Sequence, residues 1–332
     1  MQNGDRKNFI RKIFSLSSEQ EFEEAALELF RYQSAENPVY REFIRFLGIS
    51  PGKIRRLTGI PFMPVSFFRT HRIISGDAET RVTFRSSGTG SYVPSCHHVH
   101  DTGLYQASFL KCFELFYGPP DRWCILALLP SYLERADSSL VYMAGKLIEK
   151  SSHPESGFCL DDMAALASRL KGLEKQPAGI LLLGVSFALL DLVENHDLSL
   201  KKTVIMETGG MKGRRKELTR EELHSILKSK TGAARIHSEY GMTEMLSQAW
   251  SRSGGRFSSP PWMKVLIRDS YDPFSYMPSG RSGGINIIDL ANMDSCAFLE
   301  TSDLGRLHPD GRFEVIGRFD NSEVRGCNLL AE

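Results

Sequence analysis

TFRSSGTGS, residues Thr83–Ser91, stands where the chain changes its period. Before it, apolar residues recur at helical intervals. From Val82 onward, short β-branched and apolar runs alternate with helical ones. The segment passes from a strand-like start into Ser86, Ser87, Gly88, Thr89, Gly90 and Ser91. Glycines without Cβ let backbone N–H groups converge on an anion, and the hydroxyls add donors for a charged oxygen. The loop therefore reads as a phosphate cradle, with ATP as the candidate ligand. It is not a Walker A loop, because the lysine of that motif is missing, and it does not read as G-x-G-x-x-G.

On the N-terminal side, Ser18 with Glu21 forms a capping-box pattern, and Phe22, Ala25, Ala26, Leu29 and Phe30 follow at helical spacing. A second helix is expected over Val39–Phe46. PFMPVSFF, Pro61–Phe68, is expected to run extended because its two prolines disfavour a regular helix. On the C-terminal side, strands are expected at Cys124–Leu129, Ile180–Leu183, Val204–Met206 and Arg235–Ser238. Helices are expected at Thr102–Tyr117, Ser138–Lys150, Asp161–Lys171 and Thr219–Lys228. That alternation implies βαβ units, an α/β fold and a largely parallel sheet. After Trp262 the strands shorten, at Val265–Arg268, Ile285–Ile288, Ala297–Glu300 and Phe313–Ile316, and suggest a small antiparallel unit. The expected division is a helical part over 1–75, an α/β core over 76–260 and a β-rich part over 261–332.

The 332 residues suffice for one large core or two unequal ones, and a 41% hydrophobic content is ordinary for a globular chain. With 41 basic against 40 acidic side chains, the net charge of +1 provides no global field for nucleic acid or an anionic membrane. The cysteines at 96, 112, 124, 159, 296 and 327 form no CxxC pair, which suits free thiols in a reducing compartment. The opening residues MQNGDRKNFIRKIFSL lack the apolar centre of a signal peptide. The longest apolar run, Ala178–Val193, is too short to span a membrane and is interrupted by Asp191. The chain accordingly reads as cytoplasmic, with no nucleic-acid partner and no membrane span.

Three further segments follow the serine/glycine loop in a fixed order: EYGMTE (Glu239–Glu244), TSDLGR (Thr301–Arg306) and GRFDNSEVRG (Gly317–Gly326). This order resembles the adenylate-forming enzymes that include acyl-coenzyme A synthetases and the adenylation domains of peptide synthetases. Within them it is similar to the acyl-protein synthetase family of bacterial bioluminescence, and LLPSYLERADSSLVYM (Leu128–Met143) and ETGGMKGRR (Glu207–Arg215) look like the pattern of that family. The resemblance implies the large domain of that superfamily, with mostly parallel sheets flanked by helices and a short β-rich C-terminal part. It implies ATP and Mg²⁺ as cofactors. Tyr240, in the same motif as Gly241, would stack on adenine, and Thr243 and Glu244 would reach the α-phosphate and Mg²⁺, with Glu244 as the metal ligand. Asp303 would accept from the ribose hydroxyls, and Arg318 would lie near ribose or phosphate. Gly209 and Gly210 would lay backbone against the adenine and the acyl adenylate.

The activity so implied is ligation: a fatty acid or other carboxylate becomes an acyl adenylate, and the acyl group then moves to a protein cysteine. Cys327, two residues from Arg325, is the candidate carrier. A reductase or an acyl carrier protein is the expected acceptor. Val141, Met143, Phe187 and Met242 are candidates for lining an acyl tunnel, where each buried methylene contributes about 0.8 kcal/mol.

Several features depart from the family pattern. SYVP follows Gly90 where a lysine is common, DNSEVRG is one residue short, and the chain stops at Glu332 before a mobile domain with its catalytic lysine. Lys212, Arg214 and Arg215 are candidates to offset the leaving charge. Two other readings stand beside ligation: a non-catalytic nucleotide- or acyl-binding scaffold, and a serine acyltransferase or hydrolase. For the latter, Ser186 in G-V-S-F-A would act with Asp197 and His237, although Ala188 replaces the second glycine of the nucleophile elbow. Read structurally, Ser186 is a helix N-cap. Cys96, His97, His98 and His100 raise a metal question, but four donors in five positions do not easily converge on one tetrahedral ion, so a loop beside the nucleotide site is expected there.

Overall fold

The structure is a computed structural model that describes residues 3–77, 79–87, 93–129, 137–159, 162–209 and 218–319. It opens with helices α1 (Asn3–Ile13), α2 (Glu19–Glu36) and α3 (Pro38–Phe46). Ser18 caps α2 by accepting from Glu21 N–H, while the Glu21 carboxylate reaches back to Ser17 N–H at 2.7 Å, one residue before the capping-box partner expected. Asn37 ends α2 and begins α3, where Pro38 occupies the first turn and costs no hydrogen bond. The 61–68 segment is extended only as far as strand β1 (Met63–Pro64). Beyond Pro64 no proline constrains the backbone, and a short helix α4 (Phe67–Thr70) forms, which corrects the extended reading to Phe68.

Strands β2 (Val82–Arg85) and β3 (Cys96–Val99) pair antiparallel on either side of the serine/glycine loop. The α/β alternation then follows: α5 (Thr102–Tyr117), β4 (Trp123–Leu128), α6 (Ser139–Ser151), β5 (Gly157–Cys159), α7 (Met163–Leu173), β6 (Gly179–Val185), α8 (Ser186–Asn195), β7 (Val204–Thr208), α9 (Arg220–Thr231), β8 (Ile236–Tyr240) and β9 (Ala249–Ser251). These strands form one sheet in the order β5-β4-β6-β7-β8-β9, parallel except for β9. β4 and β6 are apolar on both faces because helices cover both, and their side chains from Cys124 to Leu128 and from Ile180 to Leu183 are buried.

The remainder is antiparallel: β10 (Arg256–Phe257), β11 (Met263–Arg268), β12 (Ser282–Asp289), β13 (Phe298–Leu307) and β14 (Phe313–Arg318), in the order β10-β14-β13-β12-β11, with β1 joined parallel to β13. TSDLGR, expected to follow a strand ending at Glu300, instead continues β13 to Leu307. Thr301, Asp303 and Gly305 face inward and Ser302 and Leu304 sit half-exposed, the period of a strand. Against this sheet the N-terminal helices bury Phe30 and Tyr40 around Phe298, with Tyr40 stacked on Phe298 at 6.0 Å. Each such aromatic contributes about 1.5–3 kcal/mol by burial. Among the described residues no helix is long and apolar enough to cross a membrane.

Candidate active site

In an open parallel sheet, ligands bind beyond the carboxyl ends of the strands. Here a cleft of about 1340 Å³ lies beyond the ends of β7 and β8, bounded on the other side by β13 and β14. Ser86, Ser87, Gly209, Tyr240, Gly241, Thr243, Glu244, Asp303 and Arg318 all line it. Residues nominated from distant segments are thus brought together in one cavity. Gly88, Thr89, Gly90, Ser91, Gly210 and Cys327 lie outside the described residues, as do Lys212, Arg214 and Arg215.

Strand pairing explains the meeting of Tyr240, Asp303 and Arg318. Asp303 on β13 sits opposite Arg318 on β14, and Arg318 Nε lies 3.0 Å from Asp303 Oδ1. The other oxygen, Oδ2, accepts from the Tyr240 hydroxyl at 2.7 Å. Tyr240 ends β8, its ring against Phe257 and Phe313 at 5.8 and 5.5 Å. Burial, with the Asp303 carboxylate beside it, holds the phenol well above its usual range and keeps it a donor. An ionised carboxylate offers about four lone-pair sites, so Asp303 retains acceptor capacity toward a ligand.

Three carboxylates at the cleft differ in environment. Burial pushes the Glu244 carboxyl up, despite a hydrogen bond from the Ser95 side chain. Burial likewise pushes Glu239 up, to about 7, although the Thr208 hydroxyl donates to it. For Glu207, burial is outweighed by hydrogen bonding from His224 and the charge of Arg220, whose Nε lies 3.1 Å away, and its carboxyl is lowered. Gly209, after β7, holds φ of +68°, a left-handed conformation that costs glycine little.

The loop after β8 is fixed by residues that sequence reasoning did not nominate. Asp289, fully buried, accepts from Leu246 N–H at 2.8 Å, Ser247 N–H at 3.0 Å and the Ser247 hydroxyl at 2.6 Å. Asn292 donates to the Glu244 carbonyl at 2.7 Å. His97, 1% exposed, donates from Nδ1 to the Thr243 carbonyl at 2.8 Å. Cys96, His97 and His98 therefore belong to strand β3 rather than a loop, with His100 just beyond its end, which corrects that expectation, although the run does adjoin the site. His98 Nδ1 instead meets the Thr83 hydroxyl at 2.9 Å and His100 Nδ1 the Glu79 carbonyl at 2.7 Å, so the three rings have separate partners. Among the described residues no group of three His, Cys, Asp or Glu side chains could hold a metal by itself.

Ser186 is the first residue of α8, whose cap position is Val185, and its hydroxyl donates to the Gly209 carbonyl at 2.9 Å. It is not the N-cap expected. His237 is engaged by the Tyr117 hydroxyl at 3.0 Å, and among the described residues no hydrogen bond joins Ser186 to His237. Of the tunnel candidates, Met143 and Met242 line the cleft, whereas Phe187 is buried on α8 and Val141 is half-buried on α6.

No family model and no curated protein matches the chain. Solved structures do. An ATP-bound RpMatB–BxBclM chimera has a TM-score of 0.56 at 17% identity, over 74% of this chain and 49% of its own. ATP-bound MatB from Rhodopseudomonas palustris gives 0.55 at 16%, over the same shares. 2-Hydroxyisobutyryl-CoA ligase in complex with 2-HIB-AMP and CoA gives 0.68 at 13%, over 97% of this chain and 70% of its own. The chain thus spans about half the length of the MatB structures it matches. At these identities the likeness concerns architecture: the protein has the α/β fold of adenylate-forming ligases, with a β-rich C-terminal part.

Proposed function

We propose that the protein activates a carboxylate with ATP. A carboxylate oxygen of the substrate bonds to the α-phosphorus, the bond from that phosphorus to the bridging oxygen breaks, and pyrophosphate leaves with the electron pair. An acyl adenylate remains. The observation that carries this reading is the convergence of Ser86, Ser87, Tyr240–Glu244, Asp303 and Arg318 on one cleft in a fold shared with ATP-bound MatB. Tyr240 would offer its ring to adenine, Asp303 would accept from the ribose, and the Ser86–Ser91 loop would donate to phosphate. Arg318, with a side chain 74% exposed, would meet charge developing at phosphorus.

Magnesium fits this donor set. It binds through one or two carboxylates together with substrate phosphates rather than in an all-protein cage, and Glu244 with the Thr243 hydroxyl supplies that at the cleft wall. When bound there, it would neutralise phosphate charge.

For the second step we propose that the acyl group, from a fatty acid or another carboxylate, passes to Cys327. The thiolate attacks the acyl carbonyl, AMP leaves as the carbonyl–phosphate bond breaks, and a thioester forms. A reductase or an acyl carrier protein would then receive the group. Carboxylate-dependent exchange of labelled pyrophosphate into ATP tests the first step, and its absence with every acid would refute it. Cys327→Ala should leave exchange intact and abolish covalent labelling of the protein by radioactive acid. Labelling that persists would move the carrier elsewhere.

A further inference from the structure

Glu239 and Gln248 form a second polar end of the cleft that the nucleotide reading does not use. Along β8 successive side chains face opposite sides of the sheet. Tyr240 turns toward Asp303 on the antiparallel sheet, while Glu239, the strand partner of Thr208, receives the Thr208 hydroxyl on the opposite side. A Cβ on Gly241 would stand 2.5 Å from Glu239 Oε1 and 3.4 Å from Gln248 Cγ, so both side chains border that glycine. Gln248 is 4% exposed, lines the cleft, and its Oε1 has no hydrogen-bond partner. Glu239 is 8% exposed and also lines it. The neighbouring phenol of Tyr105 does not serve them, because it donates to the Ser139 carbonyl at 3.1 Å. A buried acceptor left without a donor, as Gln248 Oε1 is, costs stability, and a ligand carrying a donor removes that cost.

We propose that the carboxylic acid received by this cleft carries, away from its carboxyl group, a hydroxyl or ammonium donor that Glu239 and Gln248 accept. The proposal rests on the carboxylate-activation reading and names the substrate class within it: a hydroxy acid or an amino acid, in preference to a plain hydrocarbon chain. Leu140 and Met143, also on the cleft wall, supply an apolar stretch for the intervening carbons. The carboxyl of Glu239, pushed up by burial to about 7, is able to receive either a neutral hydroxyl or a cation near neutral pH.

The test uses the full chain and acids of equal carbon number, either unsubstituted or bearing one hydroxyl, one amino group or one ketone moved stepwise along the chain. Binding is read by calorimetry with ATP constant, so contacts to the nucleotide cancel within each pair, and activation is read by pyrophosphate exchange. At least one hydroxy or amino acid should bind about tenfold tighter than its unsubstituted partner, and that preference should shrink to about twofold in Gln248→Leu and in Glu239→Ala. Whichever of the two classes shows it identifies the donor. Equal binding across every pair, a preference for the ketone, or no binding by any acid overturns the proposal. A preference that both folded variants retain also overturns it. If the binding preference holds while no acid supports exchange, carboxylate activation fails and the donor site stands. Gln248→Leu removes an orphaned buried acceptor, so its thermal midpoint should not fall. Glu239→Gln serves as the second variant if Glu239→Ala does not fold.

Discussion

Asp303 joins a buried phenol to an exposed guanidinium, and the two bonds carry different weight. Without the carboxylate, the Tyr240 hydroxyl would remain buried without an acceptor, a loss of about 1–3 kcal/mol, whereas the ion pair to the largely exposed Arg318 is worth under about 1 kcal/mol. Asp303→Ala should therefore lower stability in urea unfolding by about 1–3 kcal/mol, and Asp303→Asn, which keeps an acceptor, should recover most of it. An equal loss in both variants would mean that the charge rather than the hydrogen bond matters. His97 sets a pH dependence of definite sign. Burial lowers its pKa from 6.5 to about 4, so between those values the unfolded chain binds a proton that the folded chain refuses. Its contribution is complete above pH 6.5 and is lost as pH falls toward 4. Glu239 acts oppositely: burial raises its pKa to about 7, so over 4.5 to 7 the folded chain holds the extra proton and stability is lost as pH rises. The two are separated by difference. The stability of the wild type relative to His97→Gln should fall by on the order of 3 kcal/mol from pH 7 to pH 4, and a flat difference would show that the ring is not held neutral.

Among the elements, β13 connects the interior to the cleft, and Gly305 permits its close approach to β14. A Cβ there would stand 2.5 Å from the Glu314 carbonyl oxygen and 2.6 Å from Ile285 Cδ1, at the point where the register with β14 shifts. Gly305→Ala should cost about 1–3 kcal/mol in thermal unfolding by overpacking, and should weaken ATP-dependent exchange because Asp303 lies two residues away on the same strand. Unchanged stability would mean that the ladder yields there. This strand also marks where the sequence is hard to read. TSDLGR has the polar, glycine-containing composition of a turn, yet ladders on both sides hold it extended, and tertiary pairing outweighs local propensity. The parallel strands were legible because β4, β6 and β7 are short apolar runs between helical patterns. PFMPVSFF misleads beyond Pro64 because a proline restrains itself and the residue before it, and little after it. In the site, Tyr240, Glu244 and Asp303 were legible through the ordered motifs that carry the resemblance rather than by their side chains alone, and they line one cleft. Asp289 and Asn292 were not, since they act on backbone groups more than 40 positions away, as the 43-residue separation from Asp289 to Leu246 illustrates.

At the scale of the whole molecule, the first helices and the last sheet hold each other, and Gln33 makes four of the hydrogen bonds between them. It is fully buried on α2. Its Nε2 donates to the carbonyls of Asn292, Met293 and Ser295 at 3.0–3.1 Å, and its Oε1 accepts from Ala297 N–H at 2.9 Å. Asn37 donates to the same Ser295 carbonyl at 2.9 Å, and Arg6 on α1 clasps Asp294 and Asp101. The loop so gripped, between β12 and β13, also carries Asn292, whose side chain donates to the Glu244 carbonyl at the cleft. A continuous path thus runs from an N-terminal helix through Asn292 to the segment proposed to meet ATP, although Gln33 does not line the cleft. Gln33→Leu conserves approximate volume but strands the Ala297 N–H and removes the donor from the three carbonyls. It should therefore destabilise the fold by on the order of 3 kcal/mol or more in denaturant unfolding. If the path positions Glu244, the same variant, assayed below its unfolding midpoint, should raise the KM for ATP in exchange more than it lowers kcat. Arg41→Ala, on the exposed face of α3, should change neither quantity. A destabilised Gln33→Leu with an unaltered KM would leave the helices as a brace for the sheet and would separate that role from the cleft.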